Sequence, residues 1–133
     1  MAVTKGAHHV GLTVPDIKVA RDFFVNTFGF EQVGEVPDYP AIFISDGTIM
    51  LTLWQATNPD KAVPFDRKNV IGLHHFALKV ENVETLKSLH QTLVDTPGVK
   101  IEFPPEPLGS GPAQHMMFYI PGGVRMELIA LPS

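Results

Sequence analysis

The chain has no cysteine, and that one absence removes disulfides, thiolate metal ligands and thiol nucleophiles together. It also lacks a basic excess. Ten Lys and Arg against fourteen Asp and Glu leave a formal charge of −4 at pH 7, with no cationic stripe to follow a nucleic-acid backbone. No apolar run is long enough to span a membrane and no segment resembles a signal peptide, so the expected setting is the cytoplasm, with neither membrane nor nucleic acid as partner. A phosphate loop is missing as well: Gly109-Ser110-Gly111-Pro112 is short, Pro-rich and not followed by a helical pattern. No nucleophile elbow of a serine hydrolase occurs. What is there, 44% hydrophobic and 18% charged residues in a chain of 133, is an ordinary globular composition sufficient for one domain. Six His without Cys confine any transition-metal site to imidazole and carboxylate.

The organising feature is a repeat. His8-His9-Val10-Gly11-Leu12-Thr13-Val14 and His74-His75-Phe76-Ala77-Leu78-Lys79-Val80 stand 66 residues apart and share both histidines, the Leu and the final Val. Each reads as a strand with alternate residues apolar, and each runs into a capped helix: Asp16 before the stripe Ile17, Ala20, Phe23, Phe24, and Asn82 before Val83, Leu86, Leu89, Leu93. Gly29 suits the end of the first helix, and three strands are expected after it over 30–36, 41–45 and 48–55. The second helix is followed by strands over 99–103, 115–120 and 124–131, with 104–112 expected as a Pro/Gly loop. The expectation is therefore an α+β fold of two βαβββ modules forming a cupped mixed sheet. One domain spans 1–133, with module one at 7–55, a polar connection at 56–70 and module two at 71–131.

Alternation places His9, His75 and Glu127 opposite the helix-packed faces of their strands. Two imidazoles and a carboxylate on a concave sheet make a credible site for a divalent metal with open positions for substrate, where the metal acts as a Lewis acid or, as Fe(II), takes up dioxygen. Matching the turn Asp46-Gly47 to Gly122-Gly123 puts Leu51 at the place in module one that Glu127 holds in module two. His115 falls on the same inner face and is the candidate acid/base. Phe43, Leu51, Leu53, Trp54 and Met117 are the expected lining of an apolar substrate pocket.

These motifs resemble the vicinal oxygen chelate superfamily of glyoxalases, extradiol dioxygenases and bleomycin resistance proteins. The residues that carry the likeness are 9–16, Phe23-Phe24, Phe28-Gly29-Phe30, 75–80 and Pro121-Gly122-Gly123 leading to Met126-Glu127-Leu128. The resemblance implies a small-molecule substrate whose oxygens chelate the metal, and a homodimer. Glyoxalase I and methylmalonyl-CoA epimerase are expected to carry a fourth ligand, Glu or Gln, at the position assigned here to Leu51. A three-ligand set is similar to that of extradiol dioxygenases and of fosfomycin-resistance transferases, which favours Fe(II) or Mn(II), with Zn(II) or Ni(II) as alternatives. Both of those groups carry a Tyr where this chain has Met117. Dioxygenase-like chemistry is the favoured expectation. The alternatives are a glyoxalase-like lyase or isomerase and a non-catalytic binding or resistance protein. Bleomycin-binding relatives lack the metal triad, which argues against pure sequestration.

Overall fold

Asp16 starts the first helix as its residue type suggests. In the computed structural model, which describes residues 1–132, Asp16 Oδ1 accepts from the backbone N–H of Lys18 (2.9 Å) and Val19 (3.2 Å), satisfying two donors that a helix start leaves unpaired. Helix α1 (Ile17–Phe28) ends where Gly29 takes φ 75°, a conformation open to glycine at little cost, and the Gly29 N–H closes onto the last turn. The stripe Ile17, Ala20, Phe23 and Phe24 is buried. Asn82 caps α2 (Val83–Val94) through its Oδ1, which accepts from the Thr85 N–H at 2.8 Å, and Leu86 and Leu93 are fully buried.

Two compact units contain these helices, Met1–Ala62 and Val63–Ser133. The first carries β1 (His9–Val14), α1, β2 (Glu31–Val36), β3 (Ala41–Ser45) and β4 (Met50–Gln55), with sheet order β1-β4-β3-β2. The second carries β5 (Phe76–Val80), α2, β6 (Lys100–Pro107), β7 (Gln114–Tyr119) and β8 (Arg125–Ala130), in the equivalent order β5-β8-β7-β6. In each, the first strand runs parallel to the last and the other pairs are antiparallel, so each unit is a βαβββ module and the α+β class holds. Among the described residues no helix is long and apolar enough to cross a membrane.

The Pro/Gly segment differs from expectation. β6 continues to Pro107, through Pro104 and Pro105, because it is an edge strand bonded on one side only, where a missing N–H need not break a ladder. Two register shifts mark the strand, between Ile101 and Phe103 and between Phe103 and Glu106. Such bulges redirect side chains. The first of them contains Glu102, which bears on the site below.

Leu51 and Leu53 are not pocket residues. Both are fully buried, and they pair across the sheet with Val10, Leu12, Ile42 and Ile44, the residues that pack toward α1. The error lies in the turn. Between the paired residues Ser45 and Met50 the chain has four residues, whereas between Tyr119 and Arg125 it has five. Counting forward from the glycines therefore slips by one residue, and a slip of one exchanges the two faces of a strand. The ladders give the correct equivalence: Gly11 pairs with Thr52 as Ala77 pairs with Glu127. Thr52, not Leu51, is the counterpart of Glu127.

Candidate functional site

Every second residue of β8 has a different task. Met126, Leu128 and Ala130 are fully buried toward α2, while Arg125, Glu127 and Ile129 share the other face with their ladder partners Tyr119, Met117 and His115 on β7. Glu127 also pairs with Ala77 on β5, and two residues before Ala77 comes His75. Two strand positions and the residue just before β5 thus bring one carboxylate and two imidazoles together. His75 Nε2 lies 3.3 Å from Glu127 Oε1, and His115 Nδ1 lies 2.5 Å from Glu127 Oε2.

The two contacts differ in kind. An ionised carboxylate only accepts, so His115 Nδ1 donates to Oε2, which leaves Nε2 as the free ring nitrogen. Two atoms 2.5 Å apart are too close to share one metal comfortably, so this contact is suited to orienting the Glu127 carboxylate. The 3.3 Å between His75 Nε2 and Glu127 Oε1 is another matter. Two ligand atoms each at about 2.1 Å from a divalent ion and subtending about 100° stand roughly that far apart. Among the described residues no three His, Asp or Glu side chains are already grouped as a metal cage. The donors of His75 and Glu127 nevertheless fit an ion in chemistry and in separation. His115 packs edge-on to Phe103 at 5.0 Å between ring centroids, which fixes its plane.

His9 stands at the start of β1 in the first unit and is exposed. Its Nδ1 is 2.9 Å from Nδ1 of His8, and the His74–His75 pair repeats that contact at 2.8 Å, so the duplication extends to the side chains. Thr52 Oγ1 accepts from Trp54 Nε1 at 2.8 Å, and a Cβ on Gly11 would come within 3.1 Å of that Oγ1. A side chain at Gly11 would crowd that hydroxyl, which would have to give way. Trp54 packs against Tyr39 (4.5 Å) and Phe43 (6.1 Å), an aromatic group on the face of unit one opposite α1. Met117 is buried beside Glu127.

The profile of the Glyoxalase/Bleomycin resistance protein/Dioxygenase superfamily matches residues 6–128, nearly the whole chain. The chain belongs to that superfamily. It is 31% identical over 148 aligned residues to a 2-epi-5-epi-valiolone epimerase of Actinomyces sp, covering 95% of this chain and 79% of that protein. It is 32% identical over 83 residues to the mitochondrial methylmalonyl-CoA epimerase of Bos taurus, covering 57% of this chain and 47% of that one, so this second match spans under half of the relative. Among solved structures, the lactoylglutathione lyase of Agrobacterium tumefaciens superposes with a TM-score of 0.68 at 20% identity, covering 97% of this chain and 96% of that one, a likeness of fold.

As a glyoxalase-superfamily member the chain carries a polar cluster that alternation alone did not reveal. Glu102, turned inward at the β6 bulge, accepts from Arg125 Nε and Nη2 at 2.8 Å each, from Arg67 Nη1 at 2.7 Å and from the Tyr119 hydroxyl at 2.9 Å. These donors outweigh the cost of burial and pull the Glu102 carboxyl down to about 2, with Arg125 the largest cause. The same bonds raise the pKa of Arg125. Arg125 Nη1 also lies 3.4 Å from His74 Nδ1. Lost hydration and then the nearby cations, Arg125 foremost, hold the His74 imidazole below its ordinary pKa. The contacts thus run from Glu102 through Arg125 and His74 to His75. One signal was available in sequence: an Arg on the same strand face as Glu127, and buried, must have a carboxylate partner.

Proposed function

We propose that this chain is a divalent-metal-dependent enzyme that moves a proton at a carbon next to a carbonyl group of a small oxygen-bearing substrate, an epimerase or isomerase. The observation that carries the reading is Glu127 suspended between His75 and His115, one contact spaced for a metal and the other for a positioning hydrogen bond. His75 Nε2 and Glu127 Oε1 are the proposed ligands from unit two. The histidine repeat nominates His9 as the third, and imidazole with carboxylate favours Fe(II) or Mn(II), with Zn(II) or Ni(II) as alternatives. When bound, the ion polarises the substrate oxygen and acidifies the neighbouring C–H. His115 is the proposed base: with Nδ1–H given to Glu127, its Nε2 carries the lone pair that takes up the proton. Glu102 is unsuited to that work, because a carboxyl held near 2 is a feeble base at neutral pH. The epimerase names of the two curated relatives support proton transfer over the dioxygenase-like reaction favoured from sequence. That reaction stays as the second reading, since Thr52 at the place of a fourth ligand leaves a three-ligand set. A homodimer is proposed on the family resemblance, and the cytoplasm as its setting on the cysteine-free composition.

Solvent exchange separates the readings. Metal-loaded protein in D2O with a panel of 2-hydroxyketones and 2-substituted thioesters is expected to place deuterium at the carbon beside the carbonyl, with His115→Gln lowering the rate about 100-fold or more while metal content stays unchanged. Oxygen uptake on catechol-type substrates without deuterium incorporation would establish the second reading in its place.

A further inference from the structure

Beside the Glu102 cluster, within unit two, is a cavity of about 490 Å³ that the proposed reaction does not use. Its wall includes Arg67, Lys68 and Lys100 together with the rings of Phe65 and Tyr119, and the lining contains one carboxylate, Asp66. Asp66 Oδ1 accepts from the backbone N–H of Lys68 at 2.9 Å, so it is turned into its own loop. Among the described residues neither lysine has a carboxylate partner. Lys100 Nζ stands over the Tyr119 ring, 5.8 Å from its centre. Arg67 spends Nη1 on Glu102 and Tyr119, leaving its other N–H donors for something else.

Charge counting sharpens the point. Glu102 is already held in a two-pronged pair by Arg125, so one carboxylate faces two guanidiniums. Among the described residues, the cavity lining and the adjoining Glu102–Arg125 pair together hold four cations, Arg67, Lys68, Lys100 and Arg125, and two carboxylates, Asp66 and Glu102, an excess of two positive charges in a chain whose formal charge is −4. A concave site with converging cations concentrates anions. The two rings, 6.4 Å apart and nearly perpendicular, add an apolar wall beside those cations.

We propose that this cavity binds a doubly charged phosphoryl group carried on a flat apolar body, the phosphate against Lys68, Lys100 and the free donors of Arg67, the body against Phe65 and Tyr119. Three cationic side chains suit a dianion better than a monocarboxylate, and lysines bind phosphate as mobile point charges. The site is separate from the Glu127 cluster and requires no metal.

Calorimetric titration of the chelator-treated protein with phenyl phosphate, at low salt and pH 7.5, tests this. Saturable one-to-one binding is expected, weakened by about tenfold or more in the double variant Lys68→Gln, Lys100→Gln. It should be weakened by added salt and restored in large part by Lys68→Arg with Lys100→Arg. Benzoate is expected to bind more weakly, phenol not measurably, and Glu127→Gln to leave phenyl phosphate binding unchanged. Both lysines are exposed, so matching thermal melts of the double variant and the parent chain are the folding control. The proposal is overturned by an absence of saturable binding, by binding indifferent to the lysine charges, or by binding that disappears with Glu127→Gln, which would move the anion to the histidine cluster.

Discussion

Glu127→Gln is expected to lower the affinity for a divalent metal by about a hundredfold or more while leaving the fold in place. The exchange removes the one negative charge that faces the ion and replaces a strong anionic oxygen with a weak neutral one, and a hundredfold loss corresponds to about 2.7 kcal/mol. Stability should change by less than about 1 kcal/mol, because a glutamine keeps a partner for each imidazole, its amide oxygen accepting from His115 Nδ1 and its NH2 donating to His75 Nε2. Competition of Mn(II) or Zn(II) against a metal-sensitive dye gives the affinity, and urea unfolding of the metal-free proteins gives the stability. Equal affinities in the two proteins would remove Glu127 from the metal site.

Glu102→Gln has the opposite profile: a large effect on stability and little on metal affinity. Arg125 is 5% exposed, and its guanidinium is matched on two edges by the Glu102 carboxylate. Neutralising that carboxylate strands a buried cation beside a second one, Arg67, a change that costs about 3 kcal/mol or more. The pH dependence follows from the depressed carboxyl. Glu102 ionises at about 2 in the folded chain against an ordinary 4.5, so its contribution is complete above about pH 4.5 and is lost as the pH falls toward 2. Urea unfolding at steps between pH 7 and pH 2.5 should therefore show the gap between wild type and variant wide at neutral pH and narrowing below pH 4.5. A gap independent of pH would mean that the ion pair is not what Glu102 contributes.

Much of this architecture is legible in the sequence because its signals are local. Asp16, Gly29 and Asn82 mark helix ends by hydrogen bonds to residues two to five positions away, and the alternation in 125–130 sorts one strand face from the other without reference to any neighbour. The repeat at His8-His9 and His74-His75 needed only comparison of the chain with itself. What escaped depended on pairing. The assignment of Leu51 failed because one additional residue in the second hairpin turn is invisible until the ladder partners Ser45–Met50 and Tyr119–Arg125 are known. Glu102 escaped because it lies in a segment expected as strand, 99–103, whose alternation is broken by a bulge that decides where the side chain goes. Arg67 belongs to a polar connection whose residues carry no periodic signal, yet its guanidinium closes on a carboxylate 35 residues away.

The central proposal is that His75 and Glu127 are metal ligands, that His9 is the third by the histidine repeat, and that His115 positions Glu127 without itself being a ligand. X-ray absorption at the metal edge of the loaded protein addresses all four residues in one measurement. The expected spectrum contains two imidazole nitrogens and a carboxylate oxygen at about 2.0 to 2.2 Å, one imidazole lost in His9→Ala, one lost in His75→Ala, and both kept in His115→Ala. Spectra that keep both imidazoles in His75→Ala, or that lose one in His115→Ala, would contradict it.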